Sequence, residues 1–113
     1  MNIQIFGTLK CNDTKKARRF FQERNIQVHF RDLTEKGLAQ GELNNIAAVI
    51  PLEEIVDTEG KQFAKRNLKF MKYNLEEELL SDPLLLKTPI VRNGRKVTIG
   101  VQTDIWSQWI KEK

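Results

Sequence analysis

Cysteine, histidine and tyrosine each occur once in this 113-residue chain, and proline only three times. A single cysteine excludes an internal disulfide, and it fits a reducing cytoplasm. One cysteine and one histidine are too few for a structural zinc site, which takes four such ligands. No apolar run approaches the ~18 residues that span a bilayer, and the N-terminus lacks a basic-then-apolar signal pattern. A cytoplasmic protein with no membrane partner is therefore expected. Low-complexity segments, internal repeats and linker-like stretches are also missing, so the chain reads as one domain over residues 1–113.

What is present fits a globular protein: 40% hydrophobic and 30% charged residues. The charge is uneven. Lys10, Lys15, Lys16, Arg18, Arg19, Arg24 and Arg31 face only Asp13 and Glu23 between positions 10 and 31, a local net of +5 in a chain of net +4. No aromatic platform or nucleic-acid motif accompanies this charge, so it reads as solvated basic faces rather than a nucleic-acid surface. Lys61, Lys65, Lys69 and Lys72 read the same way.

The cysteine sits within that basic stretch. Residues 2–6 read as a short buried strand, Gly7 to Lys10 as a turn, and Asp13 to Arg24 as a helix capped by Asn12 or Asp13. Ala17, Phe20 and Phe21 form its apolar side, and Asn25 ends it. Cys11 therefore lies where a strand turns into a helix. The first N–H groups of that helix favour a thiolate. Lys10 and Lys15 add positive charge, and Thr14 either donates to the thiolate or caps the helix. A buried structural thiol is the alternative; the polar flanks and open turn speak against it.

Gln27 to Asp32 alternates as a second strand carrying His29, which nothing links in register to Cys11. Leu38–Ile50, Leu52–Val56, a stretch opening at Thr58 or Glu59 and running to about Asn67, and Leu75–Leu80 read as helical pieces, with Leu43, Ile46, Ala47 and Ile50 on one face of the first. Ile90–Arg92 and Lys96–Ile99 flank Asn93-Gly94, a hairpin signal for a type I′ turn. Thr88-Pro89 precedes the hairpin. Thr103 or Asp104 opens a last helix with Ile105, Trp106, Trp109 and Ile110 inward. Strand, helix, strand, then hairpin and helix predict a mixed four-stranded α/β sheet with a parallel β-α-β start.

Several segments together resemble the ArsC family, which includes arsenate reductases and Spx-type regulators on a thioredoxin-like fold. They are Ile5-Phe6-Gly7 followed by Cys11 and Thr14-Lys15-Lys16-Ala17; Phe30-Arg31-Asp32-Leu33; Ile55-Val56-Asp57-Thr58-Glu59-Gly60; and Asp82-Pro83-Leu84-Leu85-Leu86-Lys87-Thr88-Pro89-Ile90-Val91 with Gly94-Arg95-Lys96 and Ile99-Gly100. The resemblance implies a thioredoxin-like mixed sheet with a helical insertion at about residues 38–86. It also implies that Cys11 is the nucleophile, and that Pro89 is a cis-proline beside which the backbone of Thr88 meets substrate. Arsenate-binding members place arginines near the insertion and directly before the cis-proline. This chain has Asp57-Thr58-Glu59 and Thr88 there, and it has Thr14 where a Cys-x-x-Cys switch has its second thiol. With these departures, the resemblance implies a glutaredoxin-like monothiol oxidoreductase with no bound cofactor, using glutathione as co-substrate and a glutaredoxin or thioredoxin system as partner. An Spx-like regulator that binds RNA polymerase without a redox switch, or a pure oxidation sensor, is the other expectation.

Overall fold

The first strand is apolar on both faces, at Ile3 and Ile5 on one and Phe6 on the other, which suits the centre of a sheet. In the computed structural model, which describes residues 1–70 and 72–112, β1 spans Ile3–Gly7 and buries all but Gln4. α1 (Asn12–Glu23) carries the chain across to β2 (Val28–Asp32), which runs parallel to β1 with Ile3 opposite Val28 and Gly7 opposite Asp32. β3 (Ile90–Asn93) lies antiparallel on the other side of β1, and β4 (Lys96–Ile99) closes the sheet. The order is β2-β1-β3-β4, followed by the final helix α6, Thr103–Lys111. This is the expected α/β arrangement, a mixed four-stranded sheet with a parallel crossover.

One face of the sheet packs on α1 and α6. Ile3, Ile5 and Val91 meet Ala17, Phe20, Phe21, Trp106 and Trp109 in one cluster. The rings of Phe20, Phe21 and Trp106 lie 5.1–5.4 Å apart by centroid. The Trp106 indole N–H donates to Thr98 Oγ1 at 2.9 Å, so the one polar atom of this buried ring is satisfied. Ile105, expected inward, is 44% exposed; at helical spacing the inner stripe passes through Trp106, Trp109 and Ile110 and leaves Ile105 outside.

The hairpin turn also differs from expectation. Asn93 pairs with Lys96, so the two-residue loop is Gly94-Arg95, and Gly94 takes φ 62°. A glycine with positive φ at the first loop position is the type II′ pattern, one residue later than the type I′ reading of Asn93-Gly94.

The chain divides into two compact units: Met1–Asp32 with Thr88–Lys113, which holds the sheet, and Leu33–Lys87. The second unit is helical, with α2 (Gln40–Ala47), α3 (Leu52–Ile55), α4 (Lys61–Lys65), α5 (Leu75–Ser81) and short 3-10 turns at Leu68–Phe70 and Pro83–Leu85. Leu43, Ile46, Ile55, Leu68, Leu79 and Leu85 are among its fully buried side chains. The segment after α3 is clipped to the end of this unit. Val56 and Leu86 form an antiparallel bridge, flanked by Asp57 N–H to Leu85 O and Lys87 N–H to Ile55 O, both 2.8 Å. Arg66 pairs with Glu78 and Asp82, and Gln62 donates to Asp82 at 2.7 Å. Among the described residues no helix is long and apolar enough to cross a membrane.

Candidate functional site

The loop after β1 is short, and it fixes the cysteine tightly. Cys11 N–H donates to Thr8 O at 3.2 Å, and Cys11 O accepts from Lys15 N–H at 3.1 Å, the first turn of α1. Cys11 itself, with extended φ −77° and ψ 117°, is the N-cap of α1. The expected cap at Asn12 or Asp13 is thus displaced: both residues are already helical, and the sulfur takes the position a capping Ser or Asp oxygen would hold. No strict side-chain cap hydrogen bond is made.

The second wall of the site comes from the approach to β3. The Thr88–Pro89 peptide is cis. Pro89 is buried and Thr88 half-buried. The Pro89 carbonyl is engaged by Gly100 N–H at 2.9 Å. The Thr88 hydroxyl donates to Cys11 Sγ at 3.2 Å, and the thiol lies 3.9 Å from Thr88 O. The family resemblance implies that the backbone of Thr88 meets substrate; the structure gives its hydroxyl a direct bond to Cys11 as well.

Thr14 lies at the third helical position and is buried at 1% exposure. It is not the helix cap. Its hydroxyl packs against Gly7, where an added Cβ would stand 2.3 Å from Oγ1, and it has no hydrogen bond of ordinary geometry. Its influence falls on the sulfur. Partial burial is the largest single effect on the Cys11 thiol and acts to raise its pKa. The Thr14 and Thr88 hydroxyls and the N–H groups of Thr14 and Asp13 together outweigh it, so the thiol titrates below its ordinary value.

Lys10 and Lys15 are exposed at the flanks and are not among the groups acting on the sulfur. The basic excess of α1 is spread elsewhere: Arg18 stacks over Phe30 at 4.2 Å, and Arg24 over Phe20 at 3.7 Å. Dipoles rather than lysine charges therefore favour the thiolate. The Asp13 and Thr14 N–H groups are among the first N–H groups of the helix, which are expected from the sequence at the sulfur. Asp57, Thr58 and Glu59 belong to the second unit, with Asp57 half-buried and the other two exposed.

A half-exposed thiol at a helix start, bonded to the residue before a cis-proline that leads into an inner strand of a mixed four-stranded sheet, defines a thiol protein of thioredoxin-like fold. The ArsC family profile matches residues 6–109, and the chain belongs to the ArsC family. It is 30% identical to the global transcriptional regulator Spx 2 of Oceanobacillus iheyensis over 118 residues, covering 100% of this chain and 87% of that one. It is 26% identical to the uncharacterised protein YusI of Bacillus subtilis, over 92% of this chain and 94% of that one. The solved structure of an arsenate reductase from Vibrio cholerae superposes with a TM-score of 0.80 at 15% identity, over 96% and 97% of the two chains, a likeness of fold.

Proposed function

We propose that the protein is a glutaredoxin-like monothiol oxidoreductase acting through Cys11. The observation that carries this reading is the sulfur's setting: half-exposed, at the helix start, with the Thr88 hydroxyl bonded to it and its pKa lowered. The thiolate attacks the glutathione sulfur of a mixed disulfide. That disulfide breaks, the substrate sulfur leaves as a thiolate and is protonated from solvent, and a Cys11–glutathione disulfide forms. A glutathione thiolate then attacks that adduct, releases Cys11 and leaves as oxidised glutathione; the substrate's two electrons come from glutathione. Glutathione is a co-substrate, not a resident cofactor, and a glutaredoxin or thioredoxin system in a reducing cytoplasm is a second route that clears the adduct. Lys10 and Lys15 steer anionic substrates toward the site, and the backbone beside Pro89 holds the substrate chain.

The test is NADPH consumption through glutathione reductase with a glutathionylated peptide as substrate. Turnover that disappears in Cys11→Ser supports the assignment. A Cys11 adduct that neither glutaredoxin nor thioredoxin clears would replace it with an oxidation sensor.

The 30% identity to an Spx regulator favours a second reading, a module that binds RNA polymerase. Thr14 replaces the second thiol of the Cys-x-x-Cys switch, so such binding would be independent of redox state. A polymerase complex that survives Cys11→Ser, with no turnover in the glutathione assay, supports this reading over the first.

A further inference from the structure

The sheet carries a cavity lined by Asn2, Ile3, Gln4, His29, Arg92 and Gly94, with a volume of about 380 Å³. None of these residues belongs to the Cys11 site. Register explains why they converge. Gln4 on the central strand is opposite His29 on one side and Arg92 on the other. Three polar side chains from three adjacent strands thus share one row. Ile3, Ile5 and Val91, in alternation with them, take the core face.

Arg92 is the unusual member. It is half-buried, and among the described residues no carboxylate pairs with it. Its Nη1 reaches Gln4 Oε1 at a long 3.4 Å, while Nε is buried and donates to nothing. A guanidinium has five donors and is always charged, so a water-excluded N–H without an acceptor is costly. Nε and its neighbouring Nη2 form the edge that grips a carboxylate or phosphate through two parallel bonds. His29, Asn2 and Gln4 supply further polar groups around the same space.

We infer that this cavity is a binding site for a small oxyanion, a carboxylate or phosphate group, with Arg92 as its principal ligand and Gln4 and His29 as secondary contacts. The volume lies in the range that small-molecule sites occupy. The test is titration of ¹⁵N-labelled protein with inorganic phosphate and, separately, with succinate, at constant ionic strength, with chloride as the control. Saturable shifts are expected at Gln4, His29, Arg92 and the Arg92 Nε–H, with a Kd below about 1 mM for at least one probe. Arg92→Gln should weaken binding at least tenfold, and Gln4→Ala less. Arg95→Gln, on the adjoining turn, should leave it unchanged. Arg92→Lys keeps the charge without the fork, so it should also lose most of the affinity while remaining folded. Tighter binding of phosphate or of succinate identifies which oxyanion the site takes. Shifts that fail to saturate, that chloride reproduces, or that persist in Arg92→Gln overturn the inference.

Discussion

The hydroxyl of Thr88 hydrogen-bonds the sulfur of Cys11 at 3.2 Å, across 77 positions of sequence. The bond joins the residue before the cis-proline to the helix start, and it makes the thiol's acidity depend on the approach to β3 as well as on α1. Thr88→Val removes one of the groups that lower the thiol pKa and leaves partial burial to raise it. The pH midpoint of iodoacetamide alkylation should move upward relative to the parent. An unchanged midpoint would show that the Thr14 hydroxyl and the helix N–H groups of α1 set the acidity without Thr88.

Thr14→Val should separate stability from reactivity. The native hydroxyl is buried without an ordinary partner, a condition that costs roughly 1–3 kcal/mol when left unrelieved. Replacing it with a methyl should leave folding stability unchanged or raise it by about 1 kcal/mol, while the alkylation midpoint rises. Urea unfolding and alkylation on the same preparation provide both readings. A loss of stability would mean that the hydroxyl is bonded in the resting protein.

The depressed thiol pKa links stability to pH. The folded thiol ionises at lower pH than the unfolded one. Its contribution is therefore fully present above the unfolded value, about 8.5, and is lost as pH falls through the folded value. The stability advantage of the parent over Cys11→Ala should grow between those two points and stay flat outside them. Chemical denaturation of both proteins across that interval measures it. An advantage that shrinks as pH rises would contradict the lowered pKa.

Gly7→Ala should destabilise the protein by about 1–3 kcal/mol through overpacking. The new Cβ would stand 2.3 Å from Thr14 Oγ1 and 2.5 Å from Thr14 Cγ2, and Thr14 is buried and β-branched with little room to move. Adding Thr14→Ala should recover part of the loss. Thermal unfolding of the single and double variants gives the coupling; strict additivity would exclude this contact as the cause.

Arsenate should be a poor substrate. A doubly charged oxyanion entering a partly desolvated site needs several charge-assisted donors. The position before Pro89 holds a neutral threonine, and neither Lys10 nor Lys15 acts on the sulfur. A coupled assay with arsenate, glutathione, glutaredoxin and NADPH should give no rate above the Cys11→Ser blank. Thr88→Arg, which restores one fork, should increase arsenate binding.

Much of the sheet is legible in the sequence because period-2 burial is local. Ile3 and Ile5 alternate around Gln4, and the basic helix between two strands dictates a parallel crossover. Cys11 at the strand-to-helix turn is legible for the same reason. Boundaries and turn registers are harder, since they depend on single residues. The loop at Gly94-Arg95 is set by where Asn93 meets Lys96, a pairing that no local pattern fixes. The cap falls to Cys11 because Asn12 and Asp13 are drawn into the helix, against the usual preference for Asn and Asp. The Thr88 bond is invisible in the sequence because it joins segments 77 positions apart. Thiolate-stabilising roles for Lys10 and Lys15 rest on charge counting, which cannot tell a lysine pointing into solvent from a donor held against sulfur.

Trp106, locked against Phe20 and Phe21 and bonded to Thr98, has a spectroscopic consequence. Both tryptophans of the chain belong to the unit that carries the sheet, and the only tyrosine, Tyr73, belongs to the helical unit. Indole emission is therefore a native reporter for the first unit, and phenol absorbance for the second. The two can be followed through the same melt without any label, and any difference between their midpoints measures how independently the insertion unravels.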